Sequence, residues 1–178
     1  MVEEIRGVTW DLWGEQLKPW IAAQRLYKAG FKDLDTLAVM WATIEAESGG
    51  YLQAWHHNVK RNPDGSIFRS EDGLFEVLST DLGFIQKNMV HNPHAILSDE
   101  ESPAMVRDLF DAFPDLARAD KSAEIAHGMF LQRGFDPWYA YKNGSYKKSM
   151  GRACAAVGNF VALKHGLRPI PYVQRVNP

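Results

Sequence analysis

The sequence predicts an α+β fold in which helix dominates. Three observations carry that expectation. Apolar residues recur at helical spacing up to residue 48, and the same spacing returns from residue 103 to residue 166. Between them lies a turn-rich stretch with short β-prone pieces, so the helical body is interrupted once by a small β segment.

From Trp10 to Gly30, the residues Trp10, Trp13, Leu17, Trp20, Ile21 and Leu26 recur as one helical face, and Gly30 stops the run. A second helix begins near Asp33 or Asp35, either of which can cap it. It runs through Leu37, Met40, Trp41 and Ile44, as one apolar stripe, to Ser48. Gly49 and Gly50 end it. In Tyr51 to Asn92 the pattern changes. Asn62-Pro63-Asp64-Gly65 is a strong turn signature and Ser66 to Phe68 is β-prone, which predicts a small hairpin region with irregular loops. Helix then returns. Met105, Leu109, Phe110 and Phe113 mark one, and Ile125, Met129, Phe130 and Phe135 the next. Met150 to His165 is the last, through Ala153, Val157, Phe160, Val161 and Lys164. Leu167 to Pro178 holds three Pro and reads as an extended tail. The expected organisation is one domain over 1–178: an N-terminal helix in 1–32, a second helix in 33–50, a β and loop region in 51–92, a helical body in 93–166 and the tail in 167–178.

Composition bounds the function. Hydrophobic residues make up 46% and charged residues 24%, as in an ordinary soluble globular chain. A net charge of −2 argues against nucleic acid as a partner, because that needs a strong basic field. Cys154 is the only cysteine, so no internal disulfide forms, and synthesis in a reducing cytoplasm fits best. No apolar run predicts membrane insertion, and the first residues lack the basic start and apolar stretch of a secretory leader. His56, His57, His91, His94 and His127 lack a zinc-ligand spacing, so neither a metal nor another cofactor is expected, and the chain is expected to be a monomer. The six Trp read equally as a well-filled core or as rings lining a groove.

Three segments carry candidate chemistry. The first is Glu47-Ser48-Gly49-Gly50 at a helix end. A carboxyl there can be half-buried and still face a cleft, and burial disfavours its charged form. A carboxyl that holds its proton near neutral pH suits a general acid for glycosidic cleavage. Spacing does not single it out, since Glu45 and Glu47 flank the apolar stripe on opposite sides and either reads as a solvated flank residue. The second is Ser79 to Gln86. Gly83 allows a close backbone approach and the Gln86 amide both donates and accepts, as a sugar ligand requires; the plainer reading is a strand-to-helix turn capped by Asp81. The third is Pro137-Trp138-Tyr139-Ala140-Tyr141, which is either core or a sugar-flooring aromatic run. Beyond it, Lys142, Lys147, Lys148 and Arg152 form a solvated helix start or a local basic patch for an anionic wall.

In this order the three segments resemble the lysozyme-like superfamily of soluble lytic transglycosylases and goose-type lysozymes, including phage-carried forms. Glu47-Ser48 is similar to that family's Glu-Ser helix end, Asp81 to Gln86 to its Asp-x-Gly-x-x-Gln motif, and Trp138 to Tyr141 to its aromatic run. The resemblance spans about Leu37 to Tyr146. It implies a lysozyme-like fold, with the β-hairpin region between the catalytic helix and the C-terminal helices. It implies a peptidoglycan glycosidase acting on the MurNAc-GlcNAc β-1,4 bond, with Glu47 as acid/base. Ser48, Gly83, Gln86, Asn88, Trp138, Tyr139 and Tyr141 would serve the saccharide, with Tyr141 near the Glu47 carboxyl. The stretch from Arg61 to Leu78 departs as an added acidic loop, and Asn88 stands where some goose-type enzymes carry an acid.

One carboxylate or two decides the reaction. A single Glu47 suffices for a lytic transglycosylase giving a 1,6-anhydro product, the favoured expectation. A hydrolytic muramidase needs a second group, and Asp81 ranks ahead of Asp72 and Asp64. Two other classes stand beside the enzyme: a non-catalytic wall-binding or phage structural domain, and a helical partner-binding module. The expected site of action is the cell wall, reached after release from the host cytoplasm or in a phage particle.

Overall fold

The computed structural model describes residues 14–169. Among them the fold is α+β. Six α-helices, α1 (Pro19–Ala29), α2 (Leu34–Ser48), α3 (Ser102–Ala112), α4 (Ala119–Arg133), α5 (Tyr139–Lys142) and α6 (Met150–Lys164), accompany three strands, β1 (Trp55–Val59), β2 (Phe75–Leu82) and β3 (Lys87–Leu97). The chain gathers into two compact units. A sheet unit holds residues 14–16 and 51–122, and a helical unit holds residues 17–50 and 123–169.

In the helical unit, α2 is the central element. Asp33 caps it by accepting a hydrogen bond from the Thr36 backbone N–H at 2.8 Å. Leu37, Ala38, Met40, Trp41, Ala42, Thr43 and Ile44 are all buried. That is burial around most of the helix rather than along one stripe, and α1, α5 and α6 pack against it. Gly49 closes α2 in the left-handed region with φ +63°, donating to the Glu45 carbonyl. Gly50 follows at φ +79°, where a Cβ would lie 2.8 Å from the Trp41 ring.

In the sheet unit, β1, β2 and β3 form an antiparallel meander in that order. Phe75 and Val77 from β2 and Trp55, His57 and Val59 from β1 face one core with Phe84, Ile85, Val106, Phe110 and Leu116. The turn at Asn62 to Gly65 forms as the sequence predicts. Gly65 N–H donates to the Asn62 carbonyl at 2.9 Å, and Arg61 bridges to Ile67.

Several expected boundaries move. The first helix among the described residues starts at Pro19: residues 14–18 are not helical, Gly14 has φ +71°, and Gln16 bridges to Tyr51. Pro19 supplies a fixed φ suited to a first helical turn. Trp10 and Trp13 lie outside the described residues, as does the tail beyond Pro169. The β region does not end at 92. β3 continues through Pro93 to Leu97, because it pairs on one side only and an edge strand tolerates the missing N–H. The acidic stretch from Arg61 to Leu78 is not a free loop at its end, since Phe75 to Leu78 belong to β2.

Candidate active site

Glu47 sits in the last turn of α2, half-buried. The backbone N–H of Ala140, in the first turn of α5, donates to its Oε1 at 2.5 Å. One carboxylate oxygen is thereby pinned to a rigid backbone. Tyr139 and Tyr141 flank that N–H in sequence, and they differ. Tyr139 is 69% exposed. Tyr141 is half-buried in a ring stack, 4.4 Å from Phe135 and 5.0 Å from Tyr146. The structure therefore brings Glu47 to the Tyr139–Tyr141 turn through Ala140, whose side chain carries no hint of the contact.

Glu45 has a different fate. Its Oε1 accepts from the Arg152 Nε at 2.7 Å, and its side chain is 12% exposed. Arg152 also reaches Ser149 Oγ at 3.1 Å. The expected basic cluster therefore loses Arg152 to an ion pair, while Lys142, Lys147 and Lys148 remain exposed.

Two expectations for this unit are corrected. Ser48 is 1% exposed, and its hydroxyl donates to the Ile44 carbonyl and accepts from the Gly50 N–H. It closes the helix end rather than meeting a substrate. Trp138 is also 1% exposed and packs with Phe135 at 6.4 Å. A ring enclosed on all sides has no face left for a sugar. Of the four described Trp, Trp41 and Trp138 are core, which decides that alternative for them.

In the sheet unit, Asp81 is neither a helix cap nor part of a strand-to-helix turn. It lies in β2, paired with His56 on one side and Asn88 on the other. Its Oδ2 accepts from Asn58 Nδ2 at 3.0 Å and its Oδ1 from Asn88 Nδ2 at 2.7 Å. Asn58 and Asn88 also both donate to Ser79 Oγ. These four side chains make one polar cluster across three strands, which the sequence did not reveal because cross-strand register is not local. Gly83 to Gln86 form the turn between β2 and β3. The close approach at Gly83 serves packing, not a saccharide: at φ +74°, a Cβ would lie 2.5 Å from the Leu116 carbonyl oxygen. Gln86 occupies the left-handed region at φ +52°, and its amide nitrogen donates to the Ala54 and Gly83 carbonyls at 3.2 and 2.8 Å. Its donor group holds the turn.

The histidines are also accounted for. His57 is fully buried, with Nδ1 2.9 Å from Thr80 Oγ1, which in turn lies 2.9 Å from His91 Nε2. Burial pushes the His57 pKa down to about 4, and it also lowers that of His91. His94 meets Glu76 at 2.7 Å. Among the described residues no three His, Cys, Asp or Glu side chains gather as a metal-holding group. None of the described helices is long and apolar enough to cross a membrane. In comparisons with protein-family models, curated proteins and solved structures, the chain matches none.

Proposed function

We propose that this chain is a lysozyme-like peptidoglycan glycosidase that cleaves the MurNAc-GlcNAc β-1,4 bond, with Glu47 as its acid/base. One observation carries the reading: a half-buried carboxyl at a helix end, held through one oxygen by the Ala140 N–H. Fixing the carboxyl in one orientation is what proton transfer within hydrogen-bond reach demands. Glu45, the rival on the same helix, is engaged by Arg152.

The reaction favoured is the single-carboxylate one. Glu47 protonates the glycosidic oxygen as the C1–O bond breaks. The substrate's own N-acetyl oxygen stabilises the cationic sugar. The Glu47 carboxylate then takes the proton from the muramic C6 hydroxyl, whose oxygen closes on C1 to give the 1,6-anhydro end. Exposed Tyr139 is the aromatic face beside Glu47 that can meet a sugar ring. A second reading, hydrolysis with Asp81 as the second carboxylate, draws on the way Asn58 and Asn88 fix that group. Against it, each Asp81 oxygen already accepts an amide. The enzyme would act on the wall after release from a host cytoplasm or from a phage particle.

The test is digestion of purified peptidoglycan, with fragments read by mass spectrometry. Glu47→Gln is expected to lose at least about a hundredfold in rate while keeping its melting temperature. Glu45→Gln is expected to cleave at the wild-type rate. Products lighter than hydrolysed ends by one water mark the transglycosylase. A Glu47→Gln protein that cleaves normally overturns the assignment, and a wild type that binds wall without cutting replaces it with a binding domain.

A further inference from the structure

The sheet unit carries a cavity of its own, about 250 Å³ in volume, lined among others by Gln53, Trp55, Val106, Arg107, Phe110 and Asp111. That is smaller than the roughly 300–1,000 Å³ of sites for drug-sized ligands. Its chemistry is divided. Val106 and Phe110 on α3 and the ring of Trp55 on β1 give an apolar floor, each less than a tenth exposed. Arg107 and Asp111 stand exposed at the lip, one turn of α3 apart, about 6 Å along the axis. Opposite charges at that spacing commonly pair with each other. Here neither has a hydrogen-bond or ion-pair partner, so both charges are open to a ligand.

Behind the floor lie two buried polar atoms without partners among the described residues. Trp55 is 3% exposed, and its Nε1–H is buried with no acceptor. Buried polar groups are rarely left so. His57 packs beside it, ring centroids 4.8 Å apart, and its Nε2 is also buried without a partner. A cavity with one cation and one anion at its lip and apolar walls is matched to a small zwitterion with an apolar body.

We propose that this cavity binds a free aliphatic amino acid. The ligand carboxylate pairs with the Arg107 guanidinium, which suits a planar two-oxygen partner. The ammonium pairs with the Asp111 carboxylate. The aliphatic side chain rests on Val106 and Phe110. This assignment does not involve Glu47 and stands apart from wall cleavage.

The full chain labelled with ¹⁵N, titrated with L-leucine, tests it through the tryptophan indole N–H resonances, with Trp55→Phe identifying the one from Trp55. A saturable shift of that resonance is expected. L-leucinamide and N-acetyl-L-leucine, each lacking one charge, are expected to bind at least roughly tenfold more weakly. Arg107→Gln should erase the preference over leucinamide, and Asp111→Asn the preference over N-acetyl-leucine. Both positions are exposed, and a retained indole spectrum certifies the fold of each variant. No saturable shift at millimolar leucine overturns the proposal. So does equal binding of the capped forms, or a Trp55 shift given by N-acetylglucosamine and not by leucine.

Discussion

Glu45 and Glu47 are two residues apart on one helix, yet their surroundings separate them completely. Glu45 meets a guanidinium from a residue 107 positions away, and Glu47 meets a backbone N–H from 93 positions away. No property of the helix α2 alone distinguishes them, which is why the helical wheel left both open. His57 makes the same point for a base. A histidine on a strand reads as unremarkable until burial holds it neutral in the fold. The unfolded chain takes up a proton as pH falls below 6.5, while the folded chain does not until about 4. The unfolded state therefore binds more protons in that window, and stability falls as pH drops through it. The expected loss is about 3 kcal/mol at most. Urea unfolding of wild type and His57→Phe between pH 7 and pH 4 checks it: the variant is expected to show the shallower decline. A variant with an unchanged slope would place the pH dependence elsewhere.

At the scale of elements, the helices were largely legible and the strands were not. α2 carries its own start and stop, in Asp33, Gly49 and Gly50, and α6 begins and ends within one residue of the expected Met150 to His165. The segment around Asp81 and Gly83 misled, since a polar turn before Gln86 reads as well toward a helix as toward a second strand. Sheet pairing decides it: Leu82 faces Lys87 across the turn, with Gly83 wedged against Leu116. Gly83→Ala should therefore cost both a left-handed backbone and a steric clash, about 2–4 kcal/mol in all. Thermal unfolding with the sheet unit followed by its amide resonances measures this. A loss below about 0.5 kcal/mol, the range of ordinary surface changes, would mean that the turn is not so confined.

At the scale of the whole molecule, the chain leaves the helical unit at Gly50 and rejoins it at Ala123, so residues 51–122 of the sheet unit form one continuous central segment, to which residues 14–16 add. The tips at Gly65 and Gly73 carry exposed residues, Pro63, Asp64, Glu71 and Asp72. Both glycines have positive φ and open space where a side chain would stand. Exposed tips of small polar residues are where proteases cut first. Limited proteolysis of the folded chain, read by mass, is expected to cleave within residues 62–73 before any site in α2 or α6. Early cleavage within α2 would show that its burial does not protect it, contrary to its packing on most sides.

The sequence by itself determined the α+β class, the central buried helix with its cap and glycine stop, the Asn62 to Gly65 turn and the absence of an internal disulfide. Each of these rests on residues within a few positions of one another, where backbone preference and periodicity act. Tertiary structure alone decided which glutamate is neutralised, that Trp138 and Ser48 are sealed inside, that Asp81 is clasped by two asparagines, and that Arg107 and Asp111 overlook a cavity floored by Trp55. Those outcomes depend on partners brought together by folding, and a side chain's solvation and charge are set by what surrounds it in space.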